Sequence, residues 1–466
     1  MNYVVLAIVG TVIGALLNRL ADQWGWHKRF RSPWSRIPET LILQTDTDVK
    51  YCLKNQKKNK SPKNRLSAPL ISFKKRYFDF LPLIGWLTFS RFSVILGPNF
   101  WVRPFCVELF CSLGVPFLYH WGIVQKNLSI FLPGMTFESE ITLYTRFVLL
   151  VIFFSFLLLA TLTDFDDFII SDLITVPGTV FGLLAGTFLT FGLLPATEIV
   201  VFPETAKRST VFHSDANLIP TTDPQVFYRN ENVPLHLASP NPWPIELVGR
   251  PNFLTLFLGL CCWWGWCFAM MNRVWRMNFG FKQAVSLFLR RLRRSQSTWS
   301  YLLAALLGSL VITILWNGET YWQGAFSALT GMTVGGGIIW TVRLVAAQVL
   351  HLEAMGFGDV TFMAMIGAFL GWQPCLFIFF IAPVAGLIVG IIRWLLGYGN
   401  MLPYGPYLAL ATLLIVLFWP SLWLWAEPFF EVGWLIPAMM LFCGIMLFLL
   451  LKLLEIIKRR LGFAFQ

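Results

Sequence analysis

Two acidic stretches carry the chemistry this sequence could perform. Asp164-Phe165-Asp166-Asp167, with Asp172 eight residues beyond Asp164, closes an apolar run from Leu143 to Leu162. Glu353-Ala354-Met355-Gly356-Phe357-Gly358-Asp359-Val360 separates a long apolar run, Ala325 to Leu350, from a shorter one, Phe362 to Trp372. Ionisable groups at a hydrocarbon boundary are expensive, and by default they are candidates for function. Two carboxyl groups held close together cannot both ionise easily, so one keeps a proton while the other acts as a base. Such a pair can deprotonate a water for attack on a peptide carbonyl and protonate the departing amine. Its two titrations belong to the pair and not to either residue. Gly356 and Gly358 supply backbone freedom and remove side-chain bulk beside Asp359, which lets a substrate strand approach. Taken singly each motif is weak, because helix caps and turns also collect Asp. Placed on one side of a membrane, they reinforce each other.

The elements that must position them are membrane helices. Of 466 residues, 56% are hydrophobic and only 13% charged, where soluble domains carry about 25%. Mean hydropathy is +0.65, and repeated long apolar runs suit helices crossing a ~30 Å hydrocarbon layer. The fold class is therefore all-α: a polytopic helical membrane protein with about eleven membrane segments and a basic cytoplasmic loop near the N-terminus. The first apolar run, Tyr3 to Leu20, reads as a retained helix, having no basic residue before it. Lys28, Arg29, Arg31, Arg36 and the cluster from Lys50 to Arg76 make residues 21–103 cytoplasmic under the positive-inside bias, so the N-terminus lies outside. A second basic segment, Arg273 to Arg294, is also inside, and its amphipathic stretch Phe279 to Leu292 suits the membrane surface. Counting crossings from these anchors brings both acidic stretches to the cytoplasmic face. Phe362 to Trp372 is short for a crossing, and with Gln373-Pro374 as its turn it forms a tight hairpin or a re-entrant segment.

Several function classes fall away. Cytoplasmic anchoring accounts for the net charge of +12 without nucleic acid. The eight cysteines are scattered with no CxxC pair, so no metal site and no disulfide framework is indicated. The histidines, His351 among them, are isolated. Arg343 reads as a snorkelling side chain, and Gly335-Gly336-Gly337 as a seam for close helix packing.

The quoted residues resemble a family. Asp164-Phe165-Asp166, followed by Asp172-Leu173-Ile174-Thr175-Val176-Pro177, is similar to the first catalytic motif of type IV prepilin peptidases, which are GxGD-type membrane aspartic proteases. Ser171 stands where the family usually has Pro. Gly356-Phe357-Gly358-Asp359, continuing through Met365 to Trp372, resembles the second motif, with Thr361 where many members carry Lys. Pro403-Tyr404-Gly405-Pro406-Tyr407 resembles the closing signature. Weaker echoes lie at Gly14 to Leu20, Leu81 to Leu87 and Arg103 to Leu109.

The resemblance implies an aspartic endopeptidase of the bacterial inner membrane, cleaving the basic leader of type IV pilin-like precursors at the cytoplasmic face. Asp164 and Asp359 would be catalytic, Asp172 an accessory or capping acid, and Gly356 and Gly358 supporting. Proteolysis requires no cofactor. Many members also N-methylate the new terminus with S-adenosylmethionine, through an N-terminal region that often has a four-cysteine metal site. Cys52 is the only cysteine in that loop here, so no metal is expected and methyl transfer stays open. The implied division is 1–122 for the degenerate N-terminal region, 123–198 for the core with the first Asp motif, 199–320 for an insertion with an outer loop and two extra helices, and 321–466 for the core with the GxGD motif. The competing classes are an ion- or proton-coupled transporter, whose acids would sit near the midplane on broken helices, and an inactive assembly factor.

Overall fold

The computed structural model describes residues 2–25, 78, 81–90, 93, 99–125, 127, 140–188, 198–201, 218–220, 226–229, 252–271, 286, 290, 294, 296–350, 355–396, 403–431 and 434–460. Most of the basic loop and most of the amphipathic stretch Phe279 to Leu292, together with His351 and Glu353, lie outside these residues. The helices are α1 Tyr3–Trp24, α2 Ile84–Phe89, α3 Val102–Tyr119, α4 Glu140–Asp167, α5 Asp172–Phe188, α6 Phe253–Met270, α7 Gln296–Trp316, α8 Glu319–Leu350, α9 Phe357–Leu370, α10 Trp372–Leu395, α11 Gly405–Glu431 and α12 Leu435–Arg460. Among the described residues, eight helices are long and apolar enough to cross a membrane, and three shorter apolar ones accompany them: Asp172–Phe188, Phe357–Leu370 and Gly405–Trp419. The protein is a polytopic helical membrane protein. The stretch after α5, which has little periodicity, also contains three short antiparallel strands, β1 Glu198–Val201, β2 Leu218–Pro220 and β3 Val226–Arg229, in the order β1-β3-β2.

The chain divides into two compact units, residues 1–125 with 155–171, and residues 126–154 with 172–466. In the first unit, α1 packs on α3 backbone to backbone. A Cβ at Gly10 would lie 2.2 Å from the Cys111 carbonyl oxygen, and one at Gly14 would lie 2.7 Å from the Glu108 Cα. This is the small-residue spacing that brings membrane helices together. Glu108 is 2% exposed. It accepts hydrogen bonds from the Leu83 N–H (2.6 Å), the Trp86 Nε1–H (2.7 Å) and the Asn18 Nδ2 (3.5 Å). A buried carboxyl needs such partners. Through them it joins the three N-terminal echoes, Gly14 to Leu20, Leu81 to Leu87 and Arg103 to Leu109, at one point. Trp86, Phe89 and Phe100 form the apolar cluster beside it.

In the second unit, α9 is the central element. Every residue from Asp359 to Leu370 is buried, among α5, α8, α10 and α11. A helix apolar on all sides is a core helix. Its 14 residues span about 21 Å at 1.5 Å each, less than a hydrocarbon layer. Its length is set by the bundle around it and not by lipid. The α8–α9 seam is the closest approach: a Cβ at Gly331 would meet the Gly367 carbonyl oxygen at 2.1 Å, one at Gly367 would meet the Gly331 carbonyl oxygen at 2.0 Å, and one at Gly335 would meet the Met363 carbonyl oxygen at 2.6 Å. In the triplet, Gly335 and Gly336 face α9, while a Cβ at Gly337 meets nothing within 4 Å.

The turn after α9 falls at Gly371 and not at Gln373-Pro374. Gly371 has φ 83°, a left-handed conformation that suits glycine. Pro374 sits in the first turn of α10, where its missing N–H costs nothing.

Candidate active site

Asp164 lies inside the last turn of α4, which continues five residues past the apolar run to Asp167. It is 4% exposed. Phe168 stops the helix by turning left-handed, φ 55°, with its N–H donating to the Asp164 carbonyl oxygen at 2.9 Å. A bulky residue in this region carries strain. Arg103, at the start of α3, clamps the same helix end. Its Nη1 donates to the Asp166 carboxylate in an ion pair, and its Nη2 donates to the Leu162 carbonyl oxygen at 3.1 Å. These two anchor points lie two residues to either side of Asp164. A cation near the C-terminal end of a helix is favoured by the helix dipole. Asp166 is thus a structural partner of Arg103, and Arg103 earns a positioning role that its sequence echo alone did not suggest.

Asp359 lies in the first turn of α9 and is 8% exposed. The positive end of the helix dipole favours a carboxylate there. Gly356 caps the helix in an extended conformation, φ −65° and ψ 154°, which any residue can adopt, and Gly358 is helical. Neither position therefore uses glycine's access to positive φ. A Cβ at Gly356 would lie 3.5 Å from the Asp359 Oδ2, an ordinary van der Waals contact with the carboxyl group.

A polar chain ties the start of α9 to α5. The Thr175 hydroxyl donates to the Thr361 Oγ1 at 3.0 Å, and the Thr361 hydroxyl donates to the Gly358 carbonyl oxygen at 3.0 Å. Both threonines are fully buried. Further along, Gly182 meets Ala368 and Phe369, so α5 and α9 run parallel. Asp172, exposed in the first turn of α5, and Asp359 consequently lie at the same end of one helix pair. Asp164 belongs to the first compact unit, and Asp172 and Asp359 to the second. All three acids stand at helix ends, not in mid-helix.

Comparison with known proteins adds a decisive observation. Residues 296–391 match the model of the type IV leader peptidase family. That segment runs from α7 through most of α10 and contains Gly356, Gly358 and Asp359. The resemblance read from the sequence is borne out. The match begins at residue 296, within the stretch 199–320 that the sequence reading assigns to an insertion. Curated relatives named prepilin leader peptidase/N-methyltransferase align with parts of the chain. The one from Xanthomonas campestris pv. campestris is 32% identical over 155 residues, 31% of this chain and 53% of its own length. That from Pseudomonas putida is 33% identical over 138 residues, 26% of this chain and 47% of its own length. That from Aeromonas hydrophila is 29% identical over 126 residues, 26% and 42% respectively. The chain spans about half the length of the curated relatives it matches. No solved structure matches it.

Proposed function

We propose that this protein is a membrane aspartic endopeptidase that cleaves the basic leader of type IV pilin-like precursors, with Asp164 and Asp359 as its catalytic pair. The observation that carries the reading is Asp359: a buried acid in the first turn of a helix that is buried from that residue to its end, inside the segment that matches the leader peptidase family. Asp164, buried at the end of α4 and clamped by Arg103, supplies the second carboxyl group. In the reaction, one carboxylate takes a proton from water as it attacks the scissile carbonyl, and the other carboxyl protonates the departing amine. Asp172 serves as an accessory acid at the shared end of α5 and α9. Gly356 and Gly358 leave room beside Asp359 for the extended substrate.

The positive-inside charge pattern supports an N-terminus outside, a site facing the cytoplasm and residence in the bacterial inner membrane. Basic leaders remain on the cytoplasmic side by the same bias, which matches substrate to site. The relatives' names also include N-methyltransferase. Methyl transfer from S-adenosylmethionine would belong to the N-terminal region, and we assign it no residues. The test is co-expression with a pilin-like precursor, reading leader removal by a mobility shift. Asp164→Asn and Asp359→Asn should each abolish processing while leaving the protein in the membrane. Unchanged processing in either variant rejects the pair.

A further inference from the structure

The helix that follows Tyr404 packs on the helix that carries Asp359, and the Tyr404 hydroxyl is a buried hydrogen-bond donor that the arrangement above leaves unused. Tyr404 immediately precedes α11, a helix that packs on α9. Its hydroxyl has lost its solvent surface and has no hydrogen-bond partner among the described residues. Buried polar groups in native structures are nearly always partnered, and an exception calls for an explanation. Removing the ring's polar tip would leave an apolar phenyl of the same shape, so packing alone gives no reason for a hydroxyl. Burial first, and the Asp359 carboxylate second, hold the phenol above its usual pKa. It therefore remains an O–H donor at neutral pH. An O–H that cannot ionise, held within electrostatic reach of a reacting acid, suits an acceptor that arrives only with substrate.

We infer that Tyr404 is a further catalytic residue of the proposed peptidase, donating its hydrogen bond to the scissile carbonyl oxygen as that oxygen becomes negative. The inference rests on the proteolytic reading of the Asp359 site. The water oxygen bonds to the carbonyl carbon, its proton passes to the ionised carboxylate, and the π pair of the carbonyl moves onto its oxygen. Tyr404 stabilises that oxyanion without giving up its proton. On collapse the pair re-forms the carbonyl, the C–N bond breaks, and the nitrogen takes a proton from the other carboxyl. A preorganised donor at such an oxygen is worth roughly 10²- to 10³-fold in rate where it has been removed in other enzymes.

The experiment compares wild type, Tyr404→Phe, and Asp359→Asn in purified full-length protein with a pilin-like precursor. Tyr404→Phe should lower kcat at least tenfold, leave KM within twofold, leave the acid limb of the pH–rate profile in place, and melt no lower than wild type. Wild-type rates in Tyr404→Phe overturn the inference. So does a shifted acid limb with little change in kcat, which would make Tyr404 a positioning group for Asp359. Should Tyr404→Phe melt lower, 3-fluorotyrosine at position 404 keeps the hydroxyl: recovered kcat supports the inference and persistent loss overturns it. Failure of wild type to cleave, or full activity in Asp359→Asn, would instead reject the proteolytic reading itself.

Discussion

Adding a single methyl group on the α8–α9 seam should damage this protein far more than the same change less than two turns away on the same helix. A Cβ at Gly331 would sit 2.1 Å from the Gly367 carbonyl oxygen and 2.8 Å from the Gly371 Cα. Both neighbours are backbone, so no rotamer change relieves the clash. Carbon and oxygen do not approach below about 3 Å, and the two helices must part by about 1 Å to admit the methyl. Forcing extra volume into a packed core costs about 1–3 kcal/mol. The displaced helix is also the one that carries Asp359, two turns away, and a misplacement of about 1 Å can cost roughly 10²-fold in rate. Gly331→Ala should therefore lower thermal stability in detergent by about 1–3 kcal/mol and reduce leader cleavage by one to two orders of magnitude. Gly337→Ala is the matched control. It adds the same atom to the same helix where nothing lies within 4 Å, and alanine is the better helix former by about 1 kcal/mol. It should be neutral or mildly stabilising and fully active. If the two variants behave alike, the close α8–α9 contact does not hold the site.

Two further outcomes concern the end of α4. Replacing Arg103 with Gln removes the hydrogen bond to the Leu162 carbonyl and the ion pair with Asp166. Cleavage should fall about tenfold through kcat, and Asp166→Asn should add little once Arg103 is gone, because sites in one network are not additive; additive losses in a double-mutant cycle would refute the clamp. Phe168→Gly relieves a left-handed bulky residue whose side chain is 55% exposed. It should raise the melting temperature by an amount equivalent to about 1 kcal/mol, and a lowered one would show that the ring's contacts outweigh the strain.

Much of the architecture could be read from composition because hydrocarbon imposes strict rules. An 18-residue apolar run has few alternatives to a spanning helix, and α1, α4 and α8 contain the apolar runs Tyr3 to Leu20, Leu143 to Leu162 and Ala325 to Leu350. The acidic motifs were equally visible, since an acid beside an apolar run stands out against it. Hydropathy was least informative at α9, where a short apolar run has no length signature and being enclosed by four neighbours removes any polar face. It also missed the last turn of α4. Charged residues there mimic a loop, yet the helix persists because Arg103 holds its end.

What the residue order determined by itself was the class of protein, its helical segments and the two acids at their ends, because these follow from local chemistry: apolar side chains must avoid water and carboxylates must avoid hydrocarbon. Only the tertiary structure decided which glycines touch, that Glu108 gathers Asn18, Leu83 and Trp86, that Thr175 reaches Gly358 through Thr361, and that the Tyr404 hydroxyl is buried without a partner among the described residues. These contacts join residues from about twenty to more than 180 positions apart in the chain. No local preference encodes such a pairing; it exists only once helices have packed and each buried polar group has found, or kept open, its partner.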